Sequence, residues 1–172
     1  MKTDAVDNAA NTHLQEGSGV CGAIFKAAGS APLQAACDKI GHCQTGSAVI
    51  TPAFNMTNNK YSIHAVGPVY SGGNRGEAEK LYSCYQKSLE LAKENGCRSI
   101  GFPLISAGIY GYPLQEAWEI AITACMDWLN EHPDDKIQIV FVNTDEEKVA
   151  AGKAILKQAM DNIAENKCSA VI

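Results

Sequence analysis

Two glycine-bearing segments hold the residues of this chain best suited to chemistry. The first runs from Asn8-Ala9-Ala10-Asn11 through Gly17-Ser18-Gly19-Val20-Cys21-Gly22, and the second is Ser106-Ala107-Gly108-Ile109-Tyr110-Gly111-Tyr112-Pro113. Each stands where an apolar strand is expected to give way to a helix, so each offers main-chain N–H groups without intrahelical acceptors. Two such turns on one sheet can hold two linked phosphates between them, which points to a nucleotide-diphosphate pocket. Glycine-rich turns also exist merely to let a helix pack closely on a strand. Here, however, one is flanked by two asparagines and the other by Ser106 and Tyr110. Neither is a Walker A loop, because no Gly-Lys-Ser/Thr follows. Gly17, Gly19 and Gly22 match the dinucleotide-binding spacing literally, but Thr45-Gly46 stands where its acidic residue would be needed.

Composition narrows the partner. The 172 residues carry a net charge of −5, with 19% charged and 46% hydrophobic side chains. That size suits one domain. No Lys/Arg run occurs, and a negative chain is a poor match for a nucleic-acid backbone, so nucleic acid is not the expected partner. Phosphates must then be met by amides rather than by cations. The seven cysteines (Cys21, Cys37, Cys43, Cys84, Cys97, Cys125, Cys168) form no CxxC pair, as expected of free thiols in a reducing cytoplasm. Cys37, His42 and Cys43 lack the paired spacing of a zinc site, so no metal is expected. No apolar run approaches the ~20 residues of a membrane span, and the N-terminus does not read as a signal peptide. Cys168 stands one residue too far from the end for prenylation. A cytoplasmic monomer is the expectation.

The elements that must position these loops alternate along the chain. Residues 3–7 read as the end of a strand. Helical spacing of Val20, Ala23, Ile24, Ala27 and Ala28 runs up to Gly29. A short helix follows to Ile40 with Pro32 as its first residue. Residues 47–51 and 61–66 read as strands about a polar hairpin region. A long helix is expected over 77–95, a strand over 99–104, and a helix over 114–131. An apolar strand spans 137–142, and a last helix, capped by Asp145, runs from 146 to about 166. Such alternation implies βαβ units and a largely parallel sheet. Asp7 is out of place in this scheme, because an unpaired charge in a buried strand costs several kcal/mol, roughly. His64 reads as a satisfied core histidine.

Taken together, Asp4-Ala5-Val6, Asn8 to Asn11, Gly17 to Ile24, Thr45-Gly46-Ser47-Ala48-Val49-Ile50-Thr51, Ile63-His64-Ala65-Val66-Gly67-Pro68 and Phe102 to Pro113 resemble the macro domain family over residues 2–165. The resemblance implies one macro domain across 1–172, a three-layer α/β/α sandwich with a mixed, mostly parallel sheet. Family members usually begin with further strands ahead of the segment matching Asp4, so this chain is expected to lack those edge strands.

The resemblance also implies ADP-ribose as ligand, with no cofactor. Ester-linked ADP-ribosyl groups on proteins or O-acetyl-ADP-ribose would be the substrates, and a reader without turnover is the alternative. Carried over residue by residue, Asp4 would accept a hydrogen bond from the adenine amino group, with Ala5 beside it. Asn11 would bond the distal ribose and orient substrate or water, or else make local backbone bonds. Gly19, Val20 and Cys21 would supply amides to one phosphate and Ser106, Gly108, Ile109 and Tyr110 would clasp the other, with Tyr110 against the distal ribose and Gly17, Ser18 and Ala107 also in the ligand site. Phe141, Val142 and Asn143 would flank adenine. Cys21 stands where hydrolases of this branch carry an Asp, which leaves its part in catalysis open. Asn8 would brace the loop.

Overall fold

Short strands and amphipathic helices alternate through the computed structural model, which describes residues 2–164. In chain order they are β1 (Ala5–Ala9), α1 (Gly19–Ala28), α2 (Ser30–Ile40), β2 (Ala48–Pro52), β3 (Tyr61–Ala65), α3 (Glu77–Glu94), β4 (Ser99–Phe102), α4 (Leu114–Glu131), β5 (Gln138–Phe141) and α5 (Glu146–Ala164). The five strands lie in the order β2-β3-β1-β4-β5. Only β2 runs antiparallel to its neighbour; β3, β1, β4 and β5 are mutually parallel. The expected mixed, mostly parallel sheet between helical layers is therefore present.

Alternation along β1 separates two cores. Ala5 belongs to the larger one, with Tyr85, Phe102, Trp118 and Trp128. Its aromatic centre is built from Tyr85 against Phe102 (ring centroids 5.0 Å apart) and Trp118 against Phe141 (5.3 Å). Val6 and Ala10 face the other way, toward Phe25, Leu33 and Cys37 under α1 and α2. The outer helix α5 approaches α4 unusually closely, because a Cβ at Gly152 would stand 2.7 Å from the Trp118 ring. In turn, Trp118 Nε1 donates to the Lys148 carbonyl at 2.9 Å. Asp145 Oδ1 accepts from the Glu147 and Lys148 N–H groups at 3.0 and 3.4 Å, the cap expected from its position.

Beyond one-residue shifts at the ends of β2, β3, α3 and β5, three elements differ from expectation. β1 begins and ends two residues later than residues 3–7, because Asn8 and Ala9 pair with His64 and Ala65 of β3 despite their low strand preference. Pro32 is not the first residue of α2 but sits within its first turn, where its missing N–H still costs nothing. The strand expected to reach Leu104 ends at Phe102. The far end of the last helix near Asn166, and Cys168, lie outside the described residues.

Asp7 is 1% exposed and neither carboxylate oxygen has a hydrogen-bond partner. It points into the larger core, within electrostatic reach of Cys84, Tyr85 and Cys125. Burial drives its pKa well above the ordinary carboxylate range, and the nearby Ser88 hydroxyl offsets this only in part. The folded chain therefore holds a proton that the unfolded chain releases. Stability contributed by that proton is complete below the unfolded Asp pKa, about 3.9, and is lost as pH rises toward the folded value. Asp7→Val should accordingly raise the melting temperature at neutral pH, by at least about 1 kcal/mol in stability. The gain should shrink toward pH 4; thermal melts showing an equal or reversed difference at the two pH values would overturn this account.

Candidate functional site

Chain order reverses between β1 and β4: the next strand after β1 in the sheet lies on its one side and β4 on its other. In open α/β sheets, ligands bind at the carboxyl ends of strands beside such a switch point. A cavity of about 790 Å³ opens there, lined by both glycine loops and by the ends of β1, β4 and β5. A smaller groove of about 380 Å³ between α3 and α4, floored by Tyr82, Ile120 and Thr123, shares none of those donors.

The first loop behaves as expected of a helix start. Ser18 precedes α1 in an extended conformation (φ −97°, ψ 179°) and makes no side-chain cap. The N–H groups of Gly19, Val20 and Cys21, in the first turn, have no intrahelical acceptors. The first such bond, Gly22 N–H to Ser18 O, is long at 3.4 Å. Gly22 must be glycine for space, because a Cβ there would stand 2.6 Å from the Gly17 carbonyl oxygen. Asn11 holds the same loop from below: its Nδ2 donates to Gln15 O at 2.9 Å and its Oδ1 accepts from Gln15 N–H at 3.0 Å. The local role open to Asn11 is thus realised, on a residue that also lines the cavity.

The second loop departs from expectation, since it is not a helix start. Residues 104–112 form successive turns, and α4 begins only at Leu114 after Pro113. The N–H groups of Ala107, Gly111 and Tyr112 are used within the loop, bonding Leu104, Gly108 and Ser106 carbonyls. Among the described residues, those of Ser106, Gly108, Ile109 and Tyr110 donate to no other main-chain group. Ser106 is left-handed at φ +66°, a strained conformation for a residue with a side chain. Ser106 lines the cavity, but its Oγ is buried against Gly67 and has no hydrogen-bond partner among the described residues.

Three expected residues do not reach the cavity. Asp4 lies at the amino end of β1, below the sheet's carboxyl edge, where its Oδ2 accepts from Arg98 N–H at 2.8 Å and its N–H donates to Ser99 Oγ. Ala5 is fully buried in the larger core. Phe141 turns its ring toward Phe102 and Trp118, while Val142 and Asn143 do line the cavity. The expectation for Asp4 failed because the strand begins one residue after it rather than ending beside it. Sequence reasoning also missed Val6, Ala23, Ala27 and Met56, which line the α1 side, and Lys148 in the first turn of α5. Ala23 and Ala27 stand one helical turn apart, a signal readable from the spacing. Lys148 adds to the lining a cation that the sequence reading did not foresee.

Behind the first loop lies a buried polar column. His64 is 1% exposed; its Nδ1 meets Asn8 Nδ2 and its Nε2 meets Thr51 Oγ1, both at 3.0 Å. Burial lowers its pKa to about 4, so the ring is neutral near physiological pH. The six cysteines described are all free and buried, and Cys21 reaches the cavity wall.

The Macro domain sequence profile matches residues 8–121. This chain belongs to the macro domain family. An O-acetyl-ADP-ribose deacetylase of Salmonella typhimurium is 45% identical over 166 residues, covering 94% of this chain and 91% of that protein. The structure of the Oceanobacillus iheyensis macrodomain with ADP superposes with a TM-score of 0.87 at 35% identity, over 94% of this chain and 86% of that one. The Trypanosoma brucei macrodomain in complex with ADP-ribose gives 0.82 at 37% identity, over 89% of this chain and 63% of that one.

In this macro domain the second loop is braced from the β3–α3 connection. Tyr70 N–H donates to Tyr110 O at 2.9 Å, and the Tyr70 and Tyr112 rings lie 5.0 Å apart. That connection is itself pinned by Glu77, whose carboxylate accepts N–H bonds from Ser71, Gly73 and Arg75 at 2.7, 3.0 and 2.6 Å. The Ser71 bond, with those from Arg75 and Gly73, holds the Glu77 pKa below its usual value against the opposing effect of burial. Its contribution to stability is present above the unfolded Glu pKa, about 4.3, and is lost as pH falls through the folded value. Glu77→Gln should lower the melting temperature at pH 7, and the difference from wild type should narrow in acid. A deficit that stays constant across pH 3–7 would show that the charge has no part in it.

Proposed function

We propose that this macro domain binds ADP-ribose and hydrolyses either ester-linked ADP-ribosyl groups on proteins or the acetyl ester of O-acetyl-ADP-ribose. The observation that carries the reading is the pairing of two loops with uncommitted amides across one cavity at the switch point. In this reading the diphosphate lies between Gly19–Cys21 and Ser106–Tyr110, where each N–H to phosphate bond is charge-assisted and shorter-ranged than a lysine contact. The α1 side, with Val6, Ala23, Ala27 and Met56, suits a flat apolar base, and Val142 and Asn143 border it. Asn11 and Tyr110 border the end left for the distal ribose.

The chemistry needs no metal and no strong nucleophile. In an ester-linked ADP-ribosyl group, a water oxygen bonds the anomeric carbon as the carboxylate departs with the bonding pair. The water's proton passes to a phosphate oxygen of the substrate. The protein's part is to hold the diphosphate and place the water. Asn11 is suited to this, since its bonds to Gln15 leave one N–H and one oxygen lone pair for ribose or water. Cys21 is not the nucleophile: its S–H is directed at Gln15 O, and no imidazole touches it. One observation favours a reader without turnover, namely that Cys21 brings no carboxylate to the site.

ADP-ribose should bind more tightly than AMP by calorimetry, since AMP spans one loop only; equal affinities would sink the two-loop clamp. Asp4→Ala should leave that affinity within about twofold, because Asp4 serves the far end of the sheet. Incubation with an ester-linked mono-ADP-ribosylated protein should release the modification, and Asn11→Ala should slow release roughly a hundredfold. Undiminished turnover in Asn11→Ala refutes its assigned role, and binding without release leaves the reader.

A further inference from the structure

We propose that Cys21 is a positioning residue, whose thiol joins the buried Thr51–His64–Asn8 column to the Gln15 carbonyl and so fixes the Asn11 amide at the cavity. The proposal rests on the reading that Asn11 meets the distal ribose or its water.

The links form an unbroken chain from the sheet interior to the ligand edge. Asn8 Nδ2 approaches Cys21 Sγ at 3.6 Å, and Cys21 Sγ approaches Gln15 O at 3.7 Å, both within the reach of sulfur bonds. Gln15 O also accepts from Asn11 Nδ2, and Gln15 N–H donates back to Asn11 Oδ1. The polarity of the chain is set at its buried end. Thr51 Oγ1 donates to Pro52 O at 3.2 Å and in this proposal is assigned as the acceptor of His64 Nε2–H. His64 Nδ1 then carries a lone pair and accepts from Asn8 Nδ2. That fixes the Asn8 amide with nitrogen, not oxygen, toward His64 and Cys21. Facing an N–H donor, the sulfur acts as acceptor and its own proton is left for Gln15 O. A neutral His64 is required throughout, which its burial supplies.

The arrangement gives a reason for a thiol here. Cys21 sits in the first turn of α1 and offers both an acceptor and a donor, whereas a carboxylate would present an acceptor to the Gln15 carbonyl and repel it. Cys21 therefore acts on the reaction only through Gln15 and Asn11. It sets how firmly residues 11–15 are held, not the affinity of the amide clamp.

Comparison of Cys21→Ala with Cys21→Ser isolates the hydrogen bonds, because both variants shorten the side chain and only serine keeps a donor and an acceptor. In isotope-labelled protein, the Asn11 side-chain NH₂ resonances should move in Cys21→Ala and return toward wild type in Cys21→Ser. With the ester substrate, Cys21→Ala should lower kcat about tenfold with KM nearly unchanged, and Cys21→Ser should recover most of the loss. The His64 ring should be protonated at Nε2 alone. Asn11 resonances unmoved in Cys21→Ala, serine as impaired as alanine, or a proton on Nδ1 would each overturn the proposal. If wild type binds ADP-ribose without turning over the ester, the hydrolytic reading has failed. The positioning proposal is then decided by the Asn11 resonances and the His64 tautomer alone.

Discussion

Parallel pairing of β1 with β4 is the contact on which the site depends. With Ala5 opposite Ile100 and Val6 opposite Gly101, both strands point their carboxyl ends the same way, and the chain leaving each must turn at the same edge. One exit becomes Asn11 and the α1 start, the other the turns of residues 104–112. An antiparallel pairing, or a strand inserted between the two, would send the loops to opposite ends or separate them by about 4.8 Å more. Neither loop has enough side-chain chemistry to recognise a charged ligand alone. What they share is main-chain donors held at fixed spacing by the sheet.

Two neighbouring strands show how differently burial treats two ionisable groups. His64 and Asp7 are each about 1% exposed and lie on adjacent strands facing opposite layers. His64 finds a partner for each ring nitrogen, so burial merely keeps it neutral and the column it joins becomes rigid. Asp7 finds none of ordinary geometry, so burial keeps it protonated at a cost to stability. The His64 ring is thus satisfied next to the site, although Asn8 Oδ1 beside it is buried without a partner among the described residues, and the orphaned Asp7 carboxyl falls in the opposite layer, toward Ser88 and Cys125. With β1 and β3 in parallel register, period-2 alternation lets the sheet carry both because its faces never mix.

Much of this architecture was legible in the sequence, and the failures have physical causes. Asp145 read correctly as a cap because Asx capping is local, needing only the two amides that follow it. The helix at 77–94 was visible because its apolar positions repeat over five turns. Asp4 was misplaced because a strand's start is set by its partners' ladders, here the bonds to Lys60, Tyr61, Ser99 and Arg98, none of which is near in sequence. The second loop read as a helix start because Pro113 suits one, yet the left-handed Ser106 and the Tyr70 brace hold residues 104–112 in turns first. Lys148 was missed because nothing local signals it. It reaches the cavity only because Gly152 lets α5 settle onto Trp118.

In the proposed reading amides, and not a basic surface, do the recognition, and the net charge is consistent with that. The chain carries a net charge of −5, so its distant field repels a diphosphate rather than steering it. At physiological ionic strength that repulsion is screened beyond about 8 Å, and it matters little once the ligand is in the cavity. There, oriented N–H groups act at contact distance and lose little to salt, because they are fixed by the fold rather than by counter-ions. A site of this kind discriminates by geometry: two phosphates at the right separation satisfy both loops, while a lone phosphate or a longer polyanion satisfies one. Lys148, at the rim rather than between the loops, adds charge without adding that spacing. In the proposed reading, selectivity for a diphosphate resides in the distance between α1's first turn and residues 106–110, which the β1–β4 register sets.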